Sequence, residues 1–570
     1  MLYILDNRHH MSVRVDMHRF AFIVFLCLPA LTFATAQQRM LTPPVRKAME
    51  RFSADSLWRH AAVLADDRME GRGTGSAGER RAAAYLAGEL ERLGLQPAGP
   101  DGSFLQPFPL HGSRPLPASR LTLSTATREI ELRLGNDYLL FKTGAQTFIP
   151  LPLRLVFVGY GIVAPEYDYN DYQYIDVTDA IVVFLSGEPE SADGDFFAGR
   201  RRTVYSIPEM KQRIAFSRGA RGSILLPLPR VDASYDWEDW RQIFAFEDVS
   251  SPITVPSHLS ALMRLEAAAM LFDNSVFSLE DVLRMDAEHR IRSFPLRTRL
   301  RFSGEFRERD FLSANVAGLL PGSDPLLRDS YVLVSAHYDH LGIGPAVRGD
   351  SIYNGLVDNA LGCAALLEMA RILSDPALRP RRSLLFLFVA AEEKGLLGSQ
   401  YYCTRPLVPL HKTIANLNVD GLAIIDVFDD VVGIGSEFST IDRHLHTLAG
   451  ELAKTVSTLP EDFDLLEAFA GSDQIAFAQA GVPSLLVMEG TAYRNVGPED
   501  GYAQFLAWGR ERYHTPFDDP GQPVNHEALR QHGALLCAFL AGLANTYEPP
   551  QWIPGSKYVN ARLQSLAEER

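Results

Sequence analysis

Apolar residues along this chain follow three rhythms in turn. In "TPPVRKAMERFSADSLWRHAAVLADDRMEGRGTGSAGERRAAAYLAGELERLGLQP" they recur at helical spacing, with Ala82, Tyr85, Leu86, Leu90 and Leu93 on one stripe that stops at Gly94. This predicts two helices separated by the glycine-rich stretch Gly71–Gly78. From about 120 to 300 short alternating strands follow, among them "LTLSTA", "IELRL" and "LRLVFVGYGIV". Turn-rich stretches divide them, and the tyrosine- and aspartate-rich "APEYDYNDYQYIDV" leads into "AIVVFLSGEP"; the texture predicts a separate, mainly β module. From about 310 the order becomes strand, loop, helix, repeated: "YVLVSAHYD", "GCAALLEMARILSD", "RSLLFLFVAA", "TIANLNVDGL", "VPSLLVME" and the helix "NHEALRQHGALLCAFLAGLANTY". Near-continuous apolar strands alternating with helices predict an α/β fold, a mostly parallel sheet with helices on both faces.

A chain of 570 residues is too long for one simple core, and its 46% hydrophobic and 22% charged residues are ordinary for globular proteins. The formal net charge of −15 argues against a nucleic-acid or anionic-membrane binder, which would present a basic face. Phe20–Leu31 is apolar, follows Arg14, His18 and Arg19, and precedes the small-x-small Ala34-Thr35-Ala36. Residues 1–36 therefore read as a signal peptide, too short in its apolar core to span a membrane, with Met17 the tidier start. The expectation is an exported protein, periplasmic or extracellular, with no stable membrane insertion after cleavage. Cys363, Cys403 and Cys537 then remain, an odd and sparse set that makes no disulfide framework.

The chemistry collects at strand ends of the last region. Leu384–Ala391 is an apolar run that finishes on Glu392 and Glu393, and carboxylates are rarely buried unless paired, hydrogen-bonded or metal-bound. "VSAHYD" ends on His337 and Asp339, "NLNVD" ends on Asp420, "GLVDNALG" places Asp358 before a helix, and "RYHTPFDD" supplies His514. Taken singly, each has a structural explanation: a helix cap, a strand exit, a surface histidine. In a parallel sheet, however, these ends share one crevice, where clustered negative charge needs a cation. Two imidazoles with several carboxylates and no thiolate suit Zn2+, with Mn2+ or Co2+ as substitutes, better than Ca2+ or Mg2+. A strand-end Glu-Glu can set one carboxylate on the metal and the other on a bound water. The "GRGTG" stretch has neither a preceding strand nor Gly-Lys-Ser/Thr, so it does not read as a phosphate loop.

"AHYDHLG", "NGLVDNALGCAALLEMAR", "LFVAAEEKGLLGSQYY", "NLNVDG", "GSDQIAFAQAGVPSLL" and "YHTPFDD" together resemble the M28 family of secreted di-zinc aminopeptidases, in order and spacing over about 310–545. "LVFVGYGI" and "GARGSILL" are similar to pieces of the protease-associated (PA) domain that many relatives carry as an insertion. The resemblance implies a zinc-aminopeptidase-like fold divided as signal peptide 1–36, helical part of the peptidase 40–118, PA-like insertion 119–305, catalytic domain 306–548 and tail 549–570. It implies two zinc ions per chain, one on His337, Asp358 and Asp420 and one on Asp358, Glu393 and His514, with Asp358 bridging. Glu392 would be the general base of attack by metal-bound hydroxide on the first peptide bond of peptide substrates, and Asp339 a carboxylate orienting a ligand. Asp473 lies near the site in relatives. His340, His411, His444, His446 and His526 match no ligand motif and read as surface or helix histidines.

Two departures bear on substrate. Gln474 stands where many relatives have histidine, and Phe469 where some have a tyrosine that stabilises the oxyanion; a phenylalanine cannot donate, which leaves the zincs alone or another donor such as Tyr493. A carboxypeptidase or dipeptidase of the same fold is the alternative, and would need cations such as Arg348 or Lys394 for the substrate carboxylate. A single-metal glutaminyl cyclase is disfavoured by His337, and a non-catalytic binding protein by the complete ligand set.

Overall fold

The computed structural model describes residues 39–140, 148–199, 202–232, 236–253, 258–458, 460 and 465–567; the expected signal peptide lies outside them. Two helices, α1 (Pro43–Glu50) and α2 (Ala54–Leu64), stand where one was expected before the glycine-rich stretch. The break is local: Ser53 is extended and its side chain accepts from the Ser56 N–H, capping a new helix. Helix α3 (Ala77–Arg92) follows the glycines and is capped by Ser76 in the same way.

A ten-stranded mixed sheet carries the chemistry. Its labelled strands are β1 (Leu105–Pro115), β2 (Phe306–Leu320), β3 (Tyr331–His337), β4 (Ser383–Val389), β5 (Thr413–Asn418), β6 (Asp430–Ile434) and β7 (Ser484–Glu489). The centre, in the order β4-β3-β5-β7, is parallel, as the alternating pattern implies. Antiparallel strands extend it on both sides, β2 and then β1 beside β4, and β6 beside β7. Period-two alternation sorts the side chains between two cores. Leu384, Phe386 and Phe388 join the core under α1–α3, α4 (Leu361–Leu373) and α6 (His526–Asn545), whereas Leu385, Leu387 and Val389 face Tyr402 and Phe477 on the other side. Because both faces are covered, every residue of β4 and β5 is buried, and the sequence shows a continuous apolar run. Helix α5 (Pro498–Glu511) buries little but Gly501.

Strands β1 and β2 pair over the whole of Leu105–Pro115 and lead the chain to and from a second sheet of eight strands. That sheet also has a parallel centre, Phe148–Phe157, Ile181–Leu185, Gly222–Leu226 and Leu259–Met263, with helices such as Pro208–Ser217 and Leu279–Ala287 packed on it. The module expected to be mainly β is thus helical on its faces as well. Cores lie on both sides of its middle strands. No helix among the described residues is long and apolar enough to cross a membrane.

Candidate metal centre

Strands β3, β4 and β5 end together, and the residues just past their carboxyl ends face one crevice. His337 closes β3, Glu392 and Glu393 follow β4, and Asp420 follows β5. Asp358 arrives on the irregular turn Leu356–Ala360 that opens α4, with extended backbone at Asp358 itself and no capping bond from its side chain. The helix-cap explanation of that aspartate therefore fails. His514 comes from the loop after α5 with a positive φ of 56°.

These side chains form two donor sets that share one carboxylate. His337 Nε2 lies 3.1 Å from Asp358 Oδ1 and 3.2 Å from Asp420 Oδ1. His514 Nε2 lies 3.1 Å from Asp358 Oδ2 and 3.2 Å from Glu393 Oε2. Asp358 thus offers one oxygen to each set. Neighbouring donors around a tetrahedral zinc with bonds of 2.0–2.1 Å stand about 3.3 Å apart, so both sets are spaced for zinc. The donors are all nitrogen and oxygen, and His514 Nε2 is a buried atom with no hydrogen-bond partner. The residues fit the ions that the sequence implied.

The electrostatics of the two sets are tightly linked. Burial opposes the charged form of His337 and His514, yet the surrounding carboxylates, Glu392 and Asp420 for the first and Glu393 and Asp358 for the second, raise both, His514 to about 10. Burial likewise opposes ionised Asp358 and Glu393, but His340 and His337 hold the first well below the ordinary range, and His514 and His340 lower the second. Glu392 goes the other way: burial, with Asp473 and Glu393 nearby, raises it well above an ordinary glutamate. Asp473 is fully buried beside it and is pushed up by burial to about 7.

Supporting residues fix this arrangement, and several were not anticipated. Arg72, from the glycine-rich stretch, is fully buried and donates to the carbonyls of Leu64, Tyr338, Asn354 and Gly355 at 2.6–2.8 Å, clamping the loops of His337 and Asp358. Asp518 accepts from the Val357 and Asp358 N–H groups at 3.0–3.1 Å and sets the Asp358 turn. Asp339 stands beside His337: its backbone carbonyl is 3.1 Å from His337 Nδ1, and its carboxylate accepts from Thr74 Oγ1 and from the Glu392 N–H. Asp339 Oδ1 also lies 4.0 Å from His337 Nδ1.

The histidines separate cleanly. His446 is exposed, His444 bonds its own helix, His526 packs on Trp58, and His411 lies in a short helical turn. His340 is neither on the surface nor in a helix; it is 0% exposed, with Nδ1 2.6 Å from Glu393 Oε1. A third histidine at i+3 from a strand-end ligand was the available signal. Phe469 packs in an aromatic cluster with Phe438 and Tyr558, and Gln474 is occupied with Asn418 and the carbonyls of Ala468 and Phe469. Tyr493 bonds Glu489, so it is not the expected replacement donor. Tyr513 is better placed: its ring stacks on His514 at 3.9 Å, and it lies near Asp358 and Asp420. Among the described residues Cys363, Cys403 and Cys537 are free thiols.

Beside the donors opens a cavity of about 560 Å3, with Asp358, Asp420 and Tyr513 at one side and Ile424, Phe505 and Trp508 among its apolar walls.

Residues 315–540 match the family model described as Peptidase family M28. The chain is 27% identical over 265 residues to aminopeptidase YwaD of Bacillus subtilis (strain 168), covering 45% of this chain and 50% of that protein. It is 35% identical over 279 residues to aminopeptidase NAALADL1 of Mus musculus, covering 43% of this chain and 34% of that one. It thus spans half or less of the length of these curated relatives. The solved aminopeptidase from Aneurinibacillus sp. strain AM-1 is similar in fold, with a TM-score of 0.53 at 17% identity over 89% of this chain and 96% of that one.

Proposed function

Residues 315–540 belong to peptidase family M28, and on that premise we propose that the protein is an exported zinc aminopeptidase that removes bulky apolar residues from the free N termini of peptides. The observation that carries the reading is the shared carboxylate: Asp358 turns one oxygen to each of two zinc-spaced donor sets, with Glu392 at their side. His337, Asp358 and Asp420 would hold one ion, and Asp358, Glu393 and His514 the other; Mn2+ or Co2+ would fit the same donors. When bound, the ions polarise the scissile carbonyl and make water acidic enough to attack near neutral pH. The chain's own groups do the rest. Glu392, fixed through its backbone by Asp339, takes the proton of the attacking water and delivers it to the leaving amine. Tyr513, on the cavity wall with Asp358 and Asp420, donates its hydroxyl proton in a hydrogen bond to the developing oxyanion.

The direction of attack is proposed from the relatives, since YwaD of Bacillus subtilis and NAALADL1 of Mus musculus are both named aminopeptidases. The two cations considered for a carboxypeptidase are placed over aromatic rings, Arg348 over Phe517 and Lys394 over Phe246. The apolar cavity supports a large apolar side chain at the first position. Export rests on the charged and apolar order of residues 14–36, and the second sheet is proposed to be the PA-like insertion, over about 119–305.

The test is mass spectrometry of a peptide panel with free, acetylated or C-terminally amidated ends, digested with and without chelator. Stepwise loss from free N termini alone, stopped by chelation, is expected. Trimming from the other end would turn the reading to a carboxypeptidase.

A further inference from the structure

We propose that His340 is a positioning residue of the metal centre, which holds Glu393 in the pose that ligates the ion between Asp358 and His514. The inference rests on the two-metal reading above. The two carboxylates that are not shared are built alike. Asp420 turns Oδ1 to His337 and gives Oδ2 to the hydroxyl of Ser472, which donates at 2.6 Å. Glu393 turns Oε2 to His514 and gives Oε1 to His340 Nδ1, also at 2.6 Å. Each carboxylate therefore has one oxygen aimed at its donor set and the other fixed by a neighbour.

The 2.6 Å contact is a hydrogen bond, not an edge between two ligands. Co-ligands of a tetrahedral zinc stand about 3.3 Å apart, and no ion fits between two atoms this close without spreading them. Nδ1 is 3.6 Å from Asp358 Oδ2, so Glu393 is the nearer partner. The opposite nitrogen, Nε2, is buried and meets no partner, so the hydrogen bond the ring makes is the one from Nδ1–H to Glu393. A side chain kept for packing alone would not carry an unpartnered nitrogen into the interior.

The ring has no freedom to do anything else. Gly355, at φ 60°, presses its backbone on it; a Cβ there would come within 2.6 Å of His340 Cγ and Cδ2. The His340 N–H donates to the Arg72 carbonyl, which ties the residue to the clamp already described. The imidazole is wedged and the carboxylate follows it. Without the N–H, the Glu393 side chain regains its rotamers and the second ion loses a pre-set ligand.

The experiment measures zinc binding on the full chain, wild type beside His340→Leu, His340→Asn and, as the mirror case, Ser472→Ala. Each protein is stripped, reloaded and titrated against a competing chelator, with zinc per chain counted after dialysis. Wild type is expected to hold two ions. His340→Leu keeps the shape but not the donor; it should hold one ion as tightly as wild type and the other about 10–100-fold more weakly. His340→Asn, whose side-chain amide nitrogen reaches the Nδ1 position, should recover most of that affinity. Ser472→Ala should weaken the other ion instead. With cobalt in place of zinc at saturation, the spectrum of His340→Leu should match wild type, since the ligand set is unchanged. The inference is overturned if His340→Leu keeps both ions at wild-type affinity, if it loses both together, or if its saturated cobalt spectrum changes, which would make His340 a ligand. A wild-type chain that takes up no zinc overturns the two-metal reading itself, and this inference with it.

Discussion

Two regions of the chain bury ionisable groups, and they settle the charge in opposite ways. In the second sheet Lys211 is fully buried, donates to the carbonyls of Leu185 and Gly187, and lies among Asp171, Glu188 and Asp232. Beside it Arg230 pairs with both oxygens of Asp286 at 2.9–3.0 Å and with Glu190 at 2.8 Å. The anions there are answered by cations of the same chain. At the crevice of the first sheet the carboxylates are faced by His337, His340 and His514, while the buried Arg72 guanidinium commits its N–H groups to carbonyl oxygens. The balance is left open. A network that neutralises itself fits a structural role, whereas one that does not is prepared for something from outside.

The contrast can be broken at either end. The largest effect is expected from Glu392→Gln, which should lower kcat/KM by about 10²–10⁴-fold while zinc content stays at the wild-type value; a matching loss of zinc would move Glu392 into the ligand set. Lys211→Ala leaves the buried Leu185 and Gly187 carbonyls without their donor and should cost about 1–3 kcal/mol in denaturant melts, with zinc content unaltered. If zinc is lost as well, the two regions are not independent.

Glu79 sharpens the comparison from the side of the crevice. It accepts from Ser313 and from the Gly75 N–H, and burial pushes it up from 4.5 to about 7. The folded state thus keeps a proton that the unfolded chain releases, a contribution complete below pH 4.5 and lost as the pH rises through about 7. Wild type should weaken from pH 5 to pH 8 by on the order of 2–3 kcal/mol at this group, and Glu79→Gln should not, as read from paired melting curves. The smallest effect is expected at the cavity wall. Trp508→Ala should shift the kcat/KM ratio of large over small first residues about tenfold towards the small, measured with paired dipeptide amides.

The sequence disclosed what local pattern encodes. Buried strands announce themselves as apolar runs, and residues that stop such runs, His337, Glu392, Glu393 and Asp420, share an end of the sheet by topology alone. Contacts made across the chain left no such trace. Arg72 reaches the Tyr338 carbonyl from 266 residues away, and no spacing in the sequence connects them. His340 escaped because its partner, Glu393, belongs to a different strand end, and Tyr513 because only stacking on His514 brings it to the carboxylates. The parallel centre of the second sheet was hidden for the reason that made the first one visible: full burial erases alternation, so "AIVVFLSGEP" shows a strand but not its neighbours.

Arg72 has a consequence in time. Its carbonyl anchors lie at residues 64, 338, 354 and 355, and the donor sets need His514 to be complete. A chain made from its amino end therefore carries the clamp long before it carries the last ligand. Until residue 514 has joined the fold, the pair of donor sets cannot close, and neither can the site that would cut a peptide. A chain grown only as far as residue 513 holds His337, Asp358 and Asp420 of one donor set but lacks His514 of the other.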